Sequence, residues 1–204
     1  METLNDPGYE WGVSSLTHRD EAVSGDQYLV SVCSEGVLVA VIDALGHGEQ
    51  AYRAAAVAAR TLTQYAREIP TALVQRCHAE LRPTRGVALG LAWFDWRQRS
   101  LTWIGIGNVA GMLLRSGDDV DPRPLPLITR GGVIGDQLPA LRPSVLPLAA
   151  QTMLVLASDG VSGDFTPLLS LVMAPQRLAQ RIVDQYARND DDATVLVFRC
   201  GGAA

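Results

Sequence analysis

Residues 37–42 are six consecutive apolar side chains that run directly into Asp43, and Gly46, His47 and Gly48 follow almost at once. A run of this length closed by a turn reads as a buried strand. Residues 27–33 form a second strand-like run. It is joined to the first through Ser34, Glu35 and Gly36, a short turn in which glycine is expected to supply a positive φ. A tight hairpin folded about residues 34 and 35 pairs Asp26 with Asp43 at its open end, with Cα atoms ~5 Å apart. Two adjacent carboxylates repel unless a proton or a cation lies between them, so this pairing is the first sign of a metal.

The same pattern reading extends along the chain. Residues 9–16 suit an edge strand, and 17–25 a charged loop. Residues 51–67 carry apolar side chains at 51, 54, 58, 62 and 65, a helical spacing whose mostly alanine face predicts close packing on a sheet. Pro70 opens a second helix with Leu73, Cys77 and Leu81 on one stripe, and Pro83 ends it. Strands are expected at 87–94, 101–106, 111–115 and 125–129, with turns at 95–98 and 116–118; residues 130–147 read as loop with one short strand. Residues 153–157 form a buried strand ending in Ser158, Asp159 and Gly160. A third helix over 175–188 aligns Leu178, Ile182 and Tyr186, and Asp190, Asp191 and Asp192 lead into a last strand at 193–199. Short turns join antiparallel neighbours, because a parallel crossover needs a dozen or more residues. The expected architecture is α+β: two packed antiparallel sheets with helices outside, in one domain over residues 1–204.

Composition narrows the function. The 204 residues are 48% apolar and 19% charged, ordinary for a globular chain, and the net charge of −5 argues against a nucleic-acid partner. Cys33, Cys77 and Cys200 are odd in number and lack metal-ligand spacing, so reduced thiols are expected. No apolar run approaches a membrane span, and the acidic N-terminus is unlike a signal peptide, which makes the cytoplasm the expected compartment.

Four acids share one description: Asp26 precedes a strand, Asp43 and Asp159 end strands, and Asp191 precedes one. Oxygen ligands of this kind suit Mg²⁺ or Mn²⁺ rather than zinc. Two such ions bridged by carboxylates bind phosphoryl oxygens and acidify a water, and phosphate-ester hydrolysis needs little else from a protein. Asp118, Asp119, Asp121 and Asp136 suit turns, and Asp190 and Asp192 suit solvated connectors.

VIDALGHGEQA, LVLASDGV and DDDATVLVF, in this order, resemble the motifs of PP2C-type metal-dependent serine/threonine phosphatases, in the bacterial branch that includes SpoIIE and RsbX. A bare catalytic domain with Gly-His-Gly after the first aspartate and GIGNVAG at 105–111 is most similar to RsbX-like members. The resemblance implies an αββα sandwich with two divalent ions, Mn²⁺ or Mg²⁺. It implies that Asp43 bridges both ions with help from the Ala44 carbonyl, that Asp159 and Asp191 complete one, and that Asp26 serves the other. Asp43 and Asp26 are thereby the expected catalytic residues. The implied substrates are phosphoserine and phosphothreonine on STAS-domain proteins of the stressosome, and a monomer is expected. Asp43-Ala44 replaces the usual Asp-Gly, and Ala22 stands where many eukaryotic relatives have a phosphate-binding arginine. Arg19 is the candidate substitute. His47, at the start of a helix that favours anions, is a candidate for substrate binding or a histidine shaped by its flanking glycines. Asn108 suits a turn or a substrate contact, and His18 and His78 suit structural or surface roles. Two alternatives stand beside the leading reading: a phosphatase of an anti-anti-sigma factor, and a pseudophosphatase that only binds a phosphoprotein.

Overall fold

Strand β3 (Gly36–Ala44) is buried along nearly its whole length because both of its faces are covered. In the computed structural model, which describes residues 8–117 and 123–201, Leu38, Ala40 and Ile42 point to helices α1 (Glu49–Gln64) and α2 (Pro70–Leu81). Val37, Val39 and Val41 point the other way, into a second sheet. The period-2 alternation of a strand thus splits one apolar run between two cores. β3 pairs with β2 (Asp26–Cys33) and with β4 (Val87–Asp95), and β5 (Ser100–Ile106) follows. The other sheet runs in the order β1 (Tyr9–Leu16), β11 (Ala193–Gly201), β10 (Gln151–Ala157), β6 (Ala110–Ser116) and β7 (Leu125–Pro126).

Between the sheets, Phe94, Leu101 and Trp103 meet Leu154, Leu156, Leu196 and Phe198. On the outer face of the second sheet, helix α3 (Pro175–Tyr186) lays Leu178, Ala179 and Ile182 against Met153, Val155, Val195 and Val197. Ala51, Ala54, Ala55 and Ala58 form the buried stripe of α1, and such small side chains let a helix approach its sheet closely. The result is the αββα sandwich. Among the described residues, no helix is long and apolar enough to cross a membrane.

The structure corrects two local expectations. Gly36 is not at positive φ. A Cβ there would lie 1.9 Å from the Phe94 carbonyl oxygen, so close approach of β4 is what demands glycine. Residues 125–129 are not one strand. β7 stays in the second sheet while β8 (Thr129–Arg130) joins β5 in parallel, the one parallel pairing among the described strands. The chain crosses between sheets there with Ile128 exposed and its carbonyl accepting from Trp103 Nε1 at 2.9 Å. The short strand expected in the long loop is β9 (Ser144–Pro147), paired with β5. Asp118, Asp119 and Asp121 lie outside the described residues.

Candidate metal centre

The β2–β3 hairpin closes in the register its turn dictates, and Asp26 stands directly opposite Asp43. Asp26 is 5% exposed. Its Oδ2 accepts a 2.6 Å hydrogen bond from the Ser158 hydroxyl, whose oxygen in turn accepts from the Thr194 N–H at 2.8 Å. Ser158 therefore ties the hairpin of one sheet to two strands of the other. Burial first, and then the charges of Asp192 and Asp159, push the Asp26 carboxyl up to about 7 despite that hydrogen bond.

Asp43 is held more awkwardly. Its Oδ2 is buried with no hydrogen-bond partner. Burial, the charge of Asp26, and Asp159 beside it raise its carboxyl far above the usual range, with Asp191 adding to the repulsion. Asp43 and Asp159 are both acceptors when ionised, so the contact between them lacks a hydrogen unless one carboxyl is protonated. A buried acceptor without a donor is costly unless something positive meets it.

Asp159 follows β10 on the exposed side of the cluster, and its Oδ2 accepts from Asn108 Nδ2 at 2.6 Å. Gly160 must be glycine, because a Cβ there would lie 1.9 Å from the Asp192 carbonyl oxygen. That approach sets the Asp159 turn against the segment carrying Asp191. Asp191 Oδ2 is 3.1 Å from Arg188 Nη2. Asp192 is no solvated connector: it is 4% exposed, and its two oxygens accept from the backbone N–H groups of His18 (2.9 Å) and Gly25 (2.8 Å). It clips the 17–25 loop beside Asp26. Asp190 is exposed, as expected.

Ala44 is in register with Val87, its N–H donates to the Gly25 carbonyl, and it has no positive φ, so alanine is unstrained there. His47 precedes α1 with Nδ1 2.7 Å from Glu21 Oε1, and its ring stacks on His18 at 4.4 Å. Arg19 lies on the outer loop, largely exposed, with Nε 3.5 Å from Asp20. His78 is structural, accepting from the Gly135 N–H at 3.0 Å. Ser158 was not legible as a site residue. Ser158 stands next to Asp159 in the chain, which is the only signal it offered, and Asn108, read as a turn or a substrate contact, instead holds Asp159.

Among the described residues, no three His, Cys, Asp or Glu side chains already stand as a closed cage for a metal. The donor set nevertheless fits hard divalent cations. It consists of carboxylates and a carbonyl, one carboxylate oxygen is buried without a partner, and the cluster repels itself strongly enough to hold protons that acids normally release.

Two antiparallel sheets face to face, helices on both outer faces and carboxylates gathered where strands of both sheets end define the PP2C-type serine/threonine phosphatase fold. The chain belongs to the SpoIIE family: the match to Stage II sporulation protein E (SpoIIE) runs over residues 34–201. It is 26% identical over 114 residues to the phosphoserine phosphatase RsbX of Bacillus subtilis (strain 168), a match covering 55% of this chain and 57% of that relative. The matched part thus spans little more than half of the curated relative. Among solved structures, a chain described with the bacterial stressosome superposes with a TM-score of 0.84 and 26% identity, over 94% of this chain and 99% of that one. RsbX in complex with magnesium gives a TM-score of 0.82 at 19% identity, over 95% and 96%. The catalytic domain of the phosphatase PstP with two manganese ions gives 0.72 at 16%, over 95% and 99%.

Proposed function

We propose that the chain is a metal-dependent phosphoprotein phosphatase that hydrolyses phosphoserine and phosphothreonine on STAS-domain proteins of the stressosome, in the cytoplasm. The observation that carries this reading is Asp43. It stands opposite Asp26 and beside Asp159, with one buried oxygen that no donor meets. On this reading Asp43, Asp26, Asp159, Asp191 and the Ala44 carbonyl would hold two divalent cations, Mn²⁺ or Mg²⁺. When bound, the cations neutralise phosphoryl oxygens and supply an acidified water as nucleophile.

The chain's own residues set the geometry. Ser158 fixes the Asp26 carboxylate, Asn108 orients Asp159, and the rigid hairpin keeps Asp26 and Asp43 in register. His47, oriented by Glu21, and Arg19 stand on the loops beside the cluster, where an incoming phosphoprotein meets the enzyme. Two relatives at 26% identity, one named a phosphoserine phosphatase and one solved in work on the bacterial stressosome, support the substrate class.

The test is phosphate release from a phosphorylated STAS-domain protein with and without Mn²⁺, beside a chelator control. Metal-dependent release is expected. Folded protein that binds manganese but releases nothing points to another substrate, such as a free anti-anti-sigma factor. Failure to bind manganese as well favours a phosphoprotein-binding pseudophosphatase.

A further inference from the structure

Two divalent cations would only balance the charges of Asp26, Asp43, Asp159 and Asp191, so a cationic side chain at the mouth would add the net positive charge that a phosphoester dianion needs. Two arginines near the acids are already committed. Arg188 is 3.1 Å from Asp191, and Arg19 is 3.5 Å from Asp20. Arg85 differs. It lies just before β4, whose Val87 and Ala88 pair with Ala44 and Asp43, so it stands at the acidic end of the sheet. Its Nη1 donates to the Leu45 carbonyl at 2.8 Å, one residue beyond Ala44, and its Nη2 donates to Gln50 Oε1 at 2.6 Å, in the first turn of α1.

Both anchors are neutral oxygens, so the guanidinium is held in place without its charge being cancelled. Two of its five N–H donors are used by these contacts, and three are left for a ligand. Each terminal nitrogen gives one N–H to these anchors, which leaves the Nε–H and one N–H on each terminal nitrogen to meet phosphate oxygens. The turn to which it is pinned is the one that follows Asp43 directly, so its place relative to the acids is set by backbone rather than by a free side chain.

We propose that Arg85 is the residue that binds the phosphoryl group of the substrate, in place of the arginine that Ala22 does not supply. This assignment rests on the phosphatase reading above.

The experiment compares wild type, Arg85→Ala, Arg85→Lys and, as a charge control, Arg53→Ala, all with saturating Mn²⁺. Arg53 is exposed and paired to Glu49 at 2.8 Å on the same helix, so its loss changes net charge equally without touching the cluster. KM for a phosphoserine peptide and the inhibition constant for inorganic phosphate are measured together. Loss of a charge-assisted pair predicts that both rise roughly 10- to 100-fold in Arg85→Ala. Arg85→Lys, which keeps the charge but not the guanidinium, is expected to fall between, and Arg53→Ala to match wild type. A KM and a phosphate inhibition constant that stay at wild-type values in Arg85→Ala overturn the assignment alone, even if kcat falls. Equal rises in Arg53→Ala overturn it in favour of a diffuse charge effect. Wild-type protein that hydrolyses no phosphoester overturns the phosphatase reading and the assignment with it.

Discussion

Replacing Asp43 with asparagine changes one oxygen for an amino group and removes a charge that the fold resists. In metal-free protein at pH 8 the unfolded chain carries Asp43 ionised. The folded chain must either take up a proton or bury an anion beside Asp26 and Asp159. With the folded carboxyl pushed up to about 9 from 3.8, the cost at 1.36 kcal/mol per pH unit is at most about 6 kcal/mol. Proton sharing within the cluster reduces this to roughly 2–5 kcal/mol. Asparagine has no such cost, and its amide donates to Asp159 as a protonated carboxyl would. Metal-free Asp43→Asn is therefore expected to melt roughly 5–15 °C above wild type at pH 8, since a domain of this size shifts about 2–4 °C per kcal/mol. Manganese should raise the melting temperature of wild type by linkage but leave that of the variant almost unmoved, and phosphate release should be lost. The assay is thermal unfolding with and without Mn²⁺, alongside turnover. A variant less stable than wild type without metal, or one that keeps the manganese-induced rise, would refute the claim that a strained carboxylate is what the metal satisfies.

Other outcomes follow from the same geometry. Asp26 binds its proton more tightly folded than unfolded, so between about pH 4 and pH 7 its contribution to metal-free stability falls as pH rises. The stability difference between wild type and Asp26→Asn, followed by urea unfolding across that range, should move against wild type; a flat difference would show that the carboxyl is not shifted. Asp159→Asn and Asp191→Asn should each raise the Mn²⁺ concentration for half-maximal activity before lowering the maximal rate, and an unchanged titration would count against that residue as a ligand. Ser158→Ala strips a donor from Asp26 and an acceptor from the buried Thr194 N–H. About 1–3 kcal/mol of stability should be lost, and an unfolding midpoint equal to wild type would sink the view that this hydroxyl stitches the two sheets.

What the sequence made legible was local. The Asp26–Asp43 pairing follows from one short turn and a count along two strands, so register alone delivers it. The alternation in β3 and the alanine stripe of α1 likewise report their own environment. Asp192 was misread because its partners, the His18 and Gly25 N–H groups, are 174 and 167 residues away, and nothing near Asp192 distinguishes it from a solvated acid. Asn108 reaches Asp159 across 51 residues and between two turns. Arg85 reads as an ordinary charged residue between two elements until the fold lays it on the Leu45 carbonyl. Gly36 was placed rightly for the wrong reason, since the constraint comes from a neighbouring strand and not from its own φ.

The four acids are not equivalent, and their supports show why. Asp26 and Asp43 sit on paired strands of one hairpin, so their separation is fixed by a hydrogen-bonded ladder. Asp159 and Asp191 sit just outside their strands and already have partners, Asn108 and Arg188. On the proposed reading, a divalent cation would gain most where the ligand geometry is set in advance and repulsion is greatest, which is at Asp43. At Asp191 it would have to compete with a guanidinium for the same oxygen. The hairpin would then carry the fixed half of the proposed centre and the second sheet the adjustable half. Ser158, bonded to Asp26 on one side and to the Thr194 backbone on the other, is the contact through which the adjustable half is held to the fixed one.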